Sequence, residues 1–269
     1  MGQNQPHEAV TQNLSNIKHI IAVLSGKGGV GKSTVATHLA LTLSEKHHAV
    51  GLLDCDIHGP TIPTLLGMEA QRITQTTEGF KPIQATKHLK VLSMGFLINN
   101  NDDPIIWRGP MKMGAIRQLL GDFNWGTLDY LIIDLPPGTG DEPLTIAQLI
   151  PKLTGAVIVT TPQDVALISV RKSITFVKKI QVPILGLIEN MSGFSCPHCG
   201  KEINIFKKGG GEQAATEFSI PFLGSIPLDP QIVTKGDKGG TLLDADDAIT
   251  QSLYGIINQI ERELEKKGE

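Results

Sequence analysis

Residues 26–33 read GKGGVGKS, and this stretch decides the fold. It matches the pattern G-x-x-x-x-G-K-[ST], in which a glycine-rich loop turns its backbone N–H groups toward phosphate oxygens. An apolar run at residues 19–24 precedes it, and the apolar positions of residues 33–45 recur at helical spacing. The chain is therefore predicted to run from a buried strand through a phosphate-binding loop into a helix whose positive dipole end faces that loop.

Segments on either side of the loop alternate between strand and helix patterns. Strands are predicted at residues 49–53, 90–94, 130–134, 156–160, 184–189 and 222–226, and helices at 110–120, 165–179 and 248–264. This alternation, together with the loop, predicts an α/β fold of the P-loop NTPase type: a mostly parallel β-sheet with helices on both faces, in three layers. We expect a single domain over residues 18–269, after a flexible N-terminal leader over residues 1–17.

The composition argues against several classes of protein. A net charge of −3 disfavours a broad nucleic-acid-binding surface, and no apolar run reaches the roughly 18–20 residues that span a bilayer. The polar start of the chain lacks the apolar stretch of a secretory signal. Three cysteines do not make a disulfide framework. We therefore expect a cytoplasmic protein with neither a membrane nor nucleic acid as its partner.

The chemistry of the loop predicts a nucleoside triphosphate with a divalent cation. The Lys32 ammonium is expected to reach the β- and γ-phosphates, and the Ser33 hydroxyl to coordinate Mg²⁺. Glycine at several positions lets the backbone curl around the phosphates. The predicted loop contacts are Gly28, Gly29, Val30, Gly31, Lys32, Ser33 and Thr34.

Lys27 is a second lysine near the start of the loop, and KGGVGKST (27–34) resembles the deviant Walker A class of P-loop proteins. In that class this lysine reaches across a dimer interface to the other subunit's nucleotide. Its charge there supports phosphoryl transfer as an arginine finger does. The resemblance implies a homodimeric ATPase in which Lys27 and Lys32 are catalytic. The alternative is a solvated surface lysine.

Two acids, Asp54 and Asp56, come just after the strand predicted at 49–53. The carboxyl ends of strands are where open α/β sheets place their ligands. The resembled class implies that Asp54 holds the magnesium shell and that Asp56 orients or activates the attacking water. The alternatives are a pair of solvated loop acids or a cap for the helical turn that follows.

Asp134 ends the strand predicted at 130–134 and fits a Walker B acid that holds Mg²⁺ through water. Gly138 would then donate its N–H near the γ-phosphate, which makes residues 135–141 a candidate switch. Asn190 follows the strand at 184–189, and the resemblance implies that its amide contacts the base. The N-K-x-D pattern of GTP-binding proteins is absent there, which favours ATP.

Residues 196–200 read CPHCG, and the Cys196/Cys199 pair has the spacing of metal thiolate ligands. Two thiolates cannot complete a four-coordinate site, but two copies of the chain on a twofold axis supply four. Either a bridging [4Fe-4S] cluster or a zinc ion suits such a site. His198 is expected to be an exposed loop residue, and Cys55 to be buried packing.

The motifs together resemble the Mrp/ApbC-type iron–sulfur cluster carrier ATPases. The matching segments are SGKGGVGKST (25–34), LLDCDIHGPTIP (52–63), WRGPM (107–111), DYLIIDLPPGTGDE (129–142), ENMSGFSCPHCG (189–200) and GSIPLDP (224–230). The resemblance implies a homodimer that holds a labile [4Fe-4S] cluster between its subunits and passes it to apo iron–sulfur proteins, under the control of ATP.

Two other functions remain open from the sequence. A MinD/ParA-like positioning ATPase shares the loop, but it leaves CPHCG unexplained, and the apolar residues of 248–264 look like a face docked on the protein's own core. A nucleotide-gated, zinc-bridged scaffold without significant turnover would use the same residues.

Overall fold

The computed structural model describes residues 5–56, 59–73, 75–76, 79–97, 109–150, 152–196, 198–203, 205–237 and 248–268. Its strands are β1 (Ile17–Ser25), β2 (Val50–Asp54), β3 (Gln75–Thr76), β4 (Gly79–Phe80), β5 (Ile83–Gln84), β6 (Leu89–Ser93), β7 (Leu128–Asp134), β8 (Gly155–Thr160), β9 (Ile184–Glu189), β10 (Phe194–Ser195), β11 (Glu202–Ile203) and β12 (Phe222–Ser225). Its helices are α1 (Gln5–Leu14), α2 (Lys32–Glu45), α3 (Ile62–Leu65), α4 (Gly109–Gly121), α5 (Asp141–Leu149), α6 (Asp164–Lys179), α7 (Gly210–Phe218), α8 (Pro230–Asp237) and α9 (Ala248–Gly268).

Eight strands form one sheet in the order β12-β9-β8-β1-β7-β2-β6-β5. All neighbouring strands in it run parallel except β5 and β6, so the prediction of a mostly parallel sheet is confirmed. The phosphate loop follows the central strand β1. Asp54 and Asp134 are register partners at the ends of β2 and β7, so the sheet brings both acids to the edge where the loop lies.

Helices cover both faces of this sheet, which confirms the three layers. One apolar core contains buried side chains of α1, α4, α5, α6 and α7, and the other contains those of α2, α3 and α9. Strand residues alternate between the two cores: Ile20 and Ala22 of β1 belong to the first, and Ile21 and Val23 to the second. The sheet is therefore buried on both sides, as parallel strands require.

The expectation of a flexible leader over residues 1–17 is wrong for its described part. Residues Gln5–Leu14 form α1, which packs on α4 with Val10 fully buried and Leu14 3% exposed. The Asn13 amide also donates to the Leu120 carbonyl at 2.7 Å. Val10 and Leu14 lie four residues apart and so share one face of the helix. Each contributes about 1.5–3 kcal/mol when buried, which holds this polar segment against α4.

The last helix, α9, lies on the protein's own core as predicted. Its apolar face is buried at Ile249, Leu253, Ile256, Ile257, Ile260 and Leu264. No described helix combines the length and apolar character needed to cross a membrane. Trp107 and Arg108 of the segment WRGPM, one of the motifs of the resemblance, lie outside the described residues, and its last three residues begin α4.

Candidate functional site

The phosphate loop connects β1 to α2, whose first residue is Lys32. Gly29 and Gly31 both have φ of 79°, in the left-handed region that glycine adopts at little cost. A Cβ atom added at Gly28 or Gly29 would meet nothing within 4 Å, so the backbone there borders open space. A loop with exposed N–H groups, followed by the start of a 14-residue helix, has the geometry of a phosphate cradle.

A buried ion pair lies beneath this loop. The Lys32 ammonium donates to Asp134 Oδ1 at 2.6 Å, and the two side chains are 6% and 0% exposed. The second oxygen, Oδ2, is buried and accepts no hydrogen bond within the usual distance from any residue that the structure describes, although the Ser33 hydroxyl lies near enough to lower the pKa of this carboxyl. Burial raises the pKa of Asp134, while Lys32 opposes that shift. An orphaned buried oxygen suits a magnesium-bound water, so the residues here fit Mg²⁺ held with a nucleotide.

Asp54 lies on the adjacent strand and is 1% exposed. Its Oδ2 accepts from the Ser93 hydroxyl at 2.9 Å, and its Oδ1 accepts from the backbone N–H of Asp56 at 3.0 Å. Burial and the nearby Asp134 raise the pKa of Asp54 to about 8. The sequence interpretation missed Ser93; the signal for it was a polar residue one position before the end of the predicted strand 90–94.

We expect the binding of Mg·ATP at about pH 7 to release close to one proton, because a nearby cation favours the ionised form of Asp54. Since folding raises the pKa of Asp54 from 3.8 to about 8, its protonation stabilises the nucleotide-free protein at low pH. That stabilisation falls as the pH rises from 3.8 toward about 8, and it is lost above about 8. Calorimetry in buffers of different ionisation enthalpy measures the proton release.

Asp54→Asn should reduce this release by more than about half, and wild type at about pH 9.5 should release little, since the carboxyl is then already ionised. Equal release by the variant and wild type at about pH 7 would assign the proton to another group.

Two further predicted residues lie beside the loop with their polar groups already engaged. The Asn190 side-chain amide donates to the Val30 carbonyl at 2.9 Å, and the Gly138 N–H donates to the Ser25 carbonyl at 2.8 Å. A contact of Gly138 with the γ-phosphate therefore requires its present bond to break. A contact of Asn190 with adenine remains a prediction, best met by its Oδ1 accepting from the exocyclic amine.

Lys27 and Asp56 are both partly exposed at the mouth of this site. The Lys27 ammonium makes no ion pair with any described residue. Cys55, between the two acids, is fully buried, and burial raises the pKa of its thiol well above the usual value. Cys55 therefore remains a neutral packing group.

The two other cysteines lie in a small hairpin formed by β10 and β11, which pair antiparallel with Phe194 opposite Ile203. The Cys196 N–H donates to the Lys201 carbonyl at 3.0 Å, and the Gly200 N–H donates to the Cys196 carbonyl at 2.8 Å. Cys199 is exposed and Cys196 is partly exposed. We call residues 194–203 the cysteine hairpin.

Thiolate character is favoured at Cys196, because backbone N–H groups of His198 and Cys199, and then the Cys199 thiol, lower its pKa. Within the described part of the chain, no group of three or more His, Cys, Asp or Glu side chains is placed to hold a metal. His198 is exposed, as predicted. One copy thus presents two thiols, which is half of a four-coordinate site.

The fold, the phosphate loop and the buried Lys32–Asp134 pair define a nucleotide-binding P-loop NTPase. Residues 16–261 match the model of the NUBPL iron-transfer P-loop NTPase family, and the chain belongs to that family. The resemblance seen in the motifs is thereby confirmed.

Relatives with similar sequences cover nearly the whole chain. An iron–sulfur cluster carrier protein of Methanocaldococcus jannaschii is 49% identical over 265 residues, 98% of this chain and 91% of the relative. A protein of Anopheles gambiae named cytosolic Fe-S cluster assembly factor Nubp2 homolog is 54% identical over 232 residues, 85% of this chain and 88% of its own.

Solved structures agree with the fold. A nucleotide-binding protein from Archaeoglobus fulgidus in complex with ADP has a TM-score of 0.77 and 41% identity, over 87% of this chain and 91% of its own. The cell division ATPase MinD of Pyrococcus furiosus has a TM-score of 0.62 at 21% identity, over 91% of this chain and 98% of its own, which shows the shared fold alone.

Proposed function

We propose that this protein is an ATP-binding and ATP-hydrolysing carrier that holds a labile [4Fe-4S] cluster between two copies of the chain and transfers it to apo iron–sulfur proteins. The observation that carries the proposal is the presence, in one chain, of a phosphate loop and a hairpin presenting two thiols. The names of the relatives support the cargo. Relatives named cytosolic assembly factors support a cytoplasmic location.

The incomplete thiol site supports the proposed dimer. Because one cysteine hairpin offers only Cys196 and Cys199, a four-thiolate cage needs a second hairpin, and a twofold axis supplies an identical one. The exposure of Cys199 leaves it accessible to both the cargo and a recipient. A cluster held at an accessible edge by two chains is easier to release than one enclosed by a single chain.

At the nucleotide, Lys32 would bind the β- and γ-phosphates and Ser33 the metal. Asp54 and Asp134 would hold the metal's water shell, and Asp56 the attacking water. Mg²⁺, when bound, neutralises charge that develops on the phosphates. Lys27, unpaired within the described part of its own chain, would extend to the partner's nucleotide. In this proposal, hydrolysis is slow and is coupled to loading or release of the cluster.

A positioning ATPase is the weaker candidate. Membrane positioning by the C-terminal helix needs an exposed apolar face, whereas the apolar side chains of α9 are buried in the core. The likeness to MinD supports the fold only. A positioning function also leaves the cysteine hairpin unexplained.

The test of this function is the iron and acid-labile sulfide content of anaerobically reconstituted protein, measured with its mass in solution. We expect about four irons and four sulfides per two chains, in a species of twice the monomer mass. Zinc without sulfide would favour the scaffold alternative instead. A monomer in the presence of both Mg·ATP and iron would overturn the proposal.

A further inference from the structure

Glu189, the last residue of β9, is a fully buried carboxylate. Its Oε1 accepts from the Ser192 hydroxyl and from the Gly209 N–H at 2.9 Å, and its Oε2 accepts from the Gly211 N–H. A buried carboxylate is costly unless hydrogen bonds satisfy it, and these three donors do so. The two glycine N–H groups lie at the start of α7, where the helix dipole also favours a negative charge.

The three donors lie at opposite ends of the segment that carries the metal thiols. Ser192 precedes the cysteine hairpin, and Gly209 and Gly211 follow it. The Glu189 side chain therefore links the residues before the hairpin to the residues after it. A displacement of Glu189 would move both of these flanking segments together.

The two residues between Glu189 and Ser192 contact the phosphate loop. The Asn190 amide donates to the Val30 carbonyl. A Cβ atom at Gly31 would lie 2.3 Å from Asn190 Nδ2 and 3.6 Å from Met191 Cε, so the loop packs directly on both side chains. Met191 has φ of 58°, a left-handed conformation that is uncommon outside glycine and persists where surrounding contacts impose it.

We propose that the turn Glu189–Ser192 couples the nucleotide to the thiols. In this inference, which rests on the proposed function, Asn190 senses the phosphate loop and Glu189 is the positioning residue that transmits its movement to the cysteine hairpin. Because coupling is reciprocal, a bound cluster changes nucleotide affinity by the same factor as nucleotide changes cluster affinity.

Other bonds at the hairpin's base do not involve the phosphate loop. The Ser192 N–H donates to the Ile226 carbonyl at 2.9 Å, and the Leu228 N–H donates to the Gly193 carbonyl at 2.9 Å. These bonds tie the hairpin to the chain that follows β12. The loop is joined to the base of the hairpin by the side chains of Asn190 and Met191 on one side of the turn and by the Glu189–Ser192 bond on the other.

The first test uses Ser192→Ala, which removes one arm of the Glu189 contact and leaves the phosphate-loop contacts intact. Its matched control is Ser195→Ala, the same change at an exposed hairpin residue. The readout is the rate at which iodoacetamide alkylates Cys196 and Cys199 in the full-length protein, with Mg·ATP, with Mg·ADP and without nucleotide, followed by mass spectrometry. Buried Cys55 serves as an internal measure of unfolding.

We expect Mg·ATP to change the alkylation rate in wild type and in Ser195→Ala by at least about fivefold. In Ser192→Ala the ratio of the rates with and without nucleotide should fall to within about twofold, although ATP affinity stays near that of wild type. A ratio in Ser192→Ala equal to that of wild type would overturn the inference. A loss of hairpin stability alone would change both rates and leave their ratio unaltered.

The second variant, Glu189→Gln, keeps the side-chain shape but replaces an acceptor with an N–H₂ group that faces backbone donors. If it folds, it should abolish the nucleotide dependence; if it does not fold, the result with Ser192→Ala decides. A wild type that binds Mg·ATP without any change in alkylation contradicts the coupling and leaves the nucleotide site standing. A wild type that binds no nucleotide contradicts the proposed function itself.

Discussion

Cys196→Ala and Cys199→Ala are each expected to lose at least about nine-tenths of the iron and sulfide that reconstituted wild type holds. In a twofold dimer, one substitution removes two of the four thiolates, and a cluster held by the remaining pair has two irons without a protein ligand. Anaerobic reconstitution followed by iron and sulfide analysis, and by absorbance near about 400 nm, measures the loss.

Cys55→Ala is the matched control for these variants. Cys55 is fully buried between the nucleotide-site acids, so its removal should leave iron and sulfide at the wild-type level. Each hairpin variant should still bind nucleotide, since no hydrogen bond among the described residues joins either cysteine to the phosphate loop. If both hairpin variants kept the wild-type iron and sulfide content, the assignment of the cluster to Cys196 and Cys199 would be wrong.

Lys27→Ala is expected to reduce ATP hydrolysis by about 10³-fold while changing the dissociation constant for ATP by less than about threefold. The physical reason is that, in the proposed dimer, a cation from the partner would act on charge that develops only in the transition state. Lys32→Ala should differ by weakening ATP binding itself, because it removes a phosphate ligand and leaves Asp134 buried without its partner. Initial rates and equilibrium binding separate the two effects.

The control is Lys87→Ala. Lys87 is exposed and precedes β6, at the end of the sheet opposite the phosphate loop, so this variant should keep wild-type turnover.

Mixing Lys27→Ala with Asp56→Ala tests whether the lysine acts across the interface. Half of the randomly formed dimers are mixed, and each has one site with an intact Asp56 and the partner's intact Lys27. About a quarter of wild-type activity should therefore return. No recovery would place Lys27 in its own subunit's site, and undiminished hydrolysis by Lys27→Ala alone would end its catalytic role.

Much of the fold was predictable because its signals are local. The phosphate loop is a contiguous motif, and the bounds of β9 were predicted without error. Asp54 and Asp134 end two predicted strands, and the carboxyl ends of parallel strands lie along the same edge of a sheet, so the sequence indicated that these acids lie close together. By contrast, α1 was missed because its polar composition concealed Val10 and Leu14, and the amphipathic α7 and the short hairpin strands carried too few periodic positions to be seen.

The sequence by itself determined the nucleotide loop, the seven parallel strands of the sheet with four of the helices between and after them, and the pair of thiols. Each of these features is encoded in neighbouring residues. Only the tertiary structure decided which side chains meet. The Lys32–Asp134 pair spans 102 positions, Ser93 reaches Asp54 from 39 away, and Asn190 reaches Val30 from 160 away. Such contacts depend on the lateral order of strands in the sheet, which hydrophobic periodicity along one strand does not encode. The same is true of the buried Glu189, whose three donors come together only when α7 folds back beside β9.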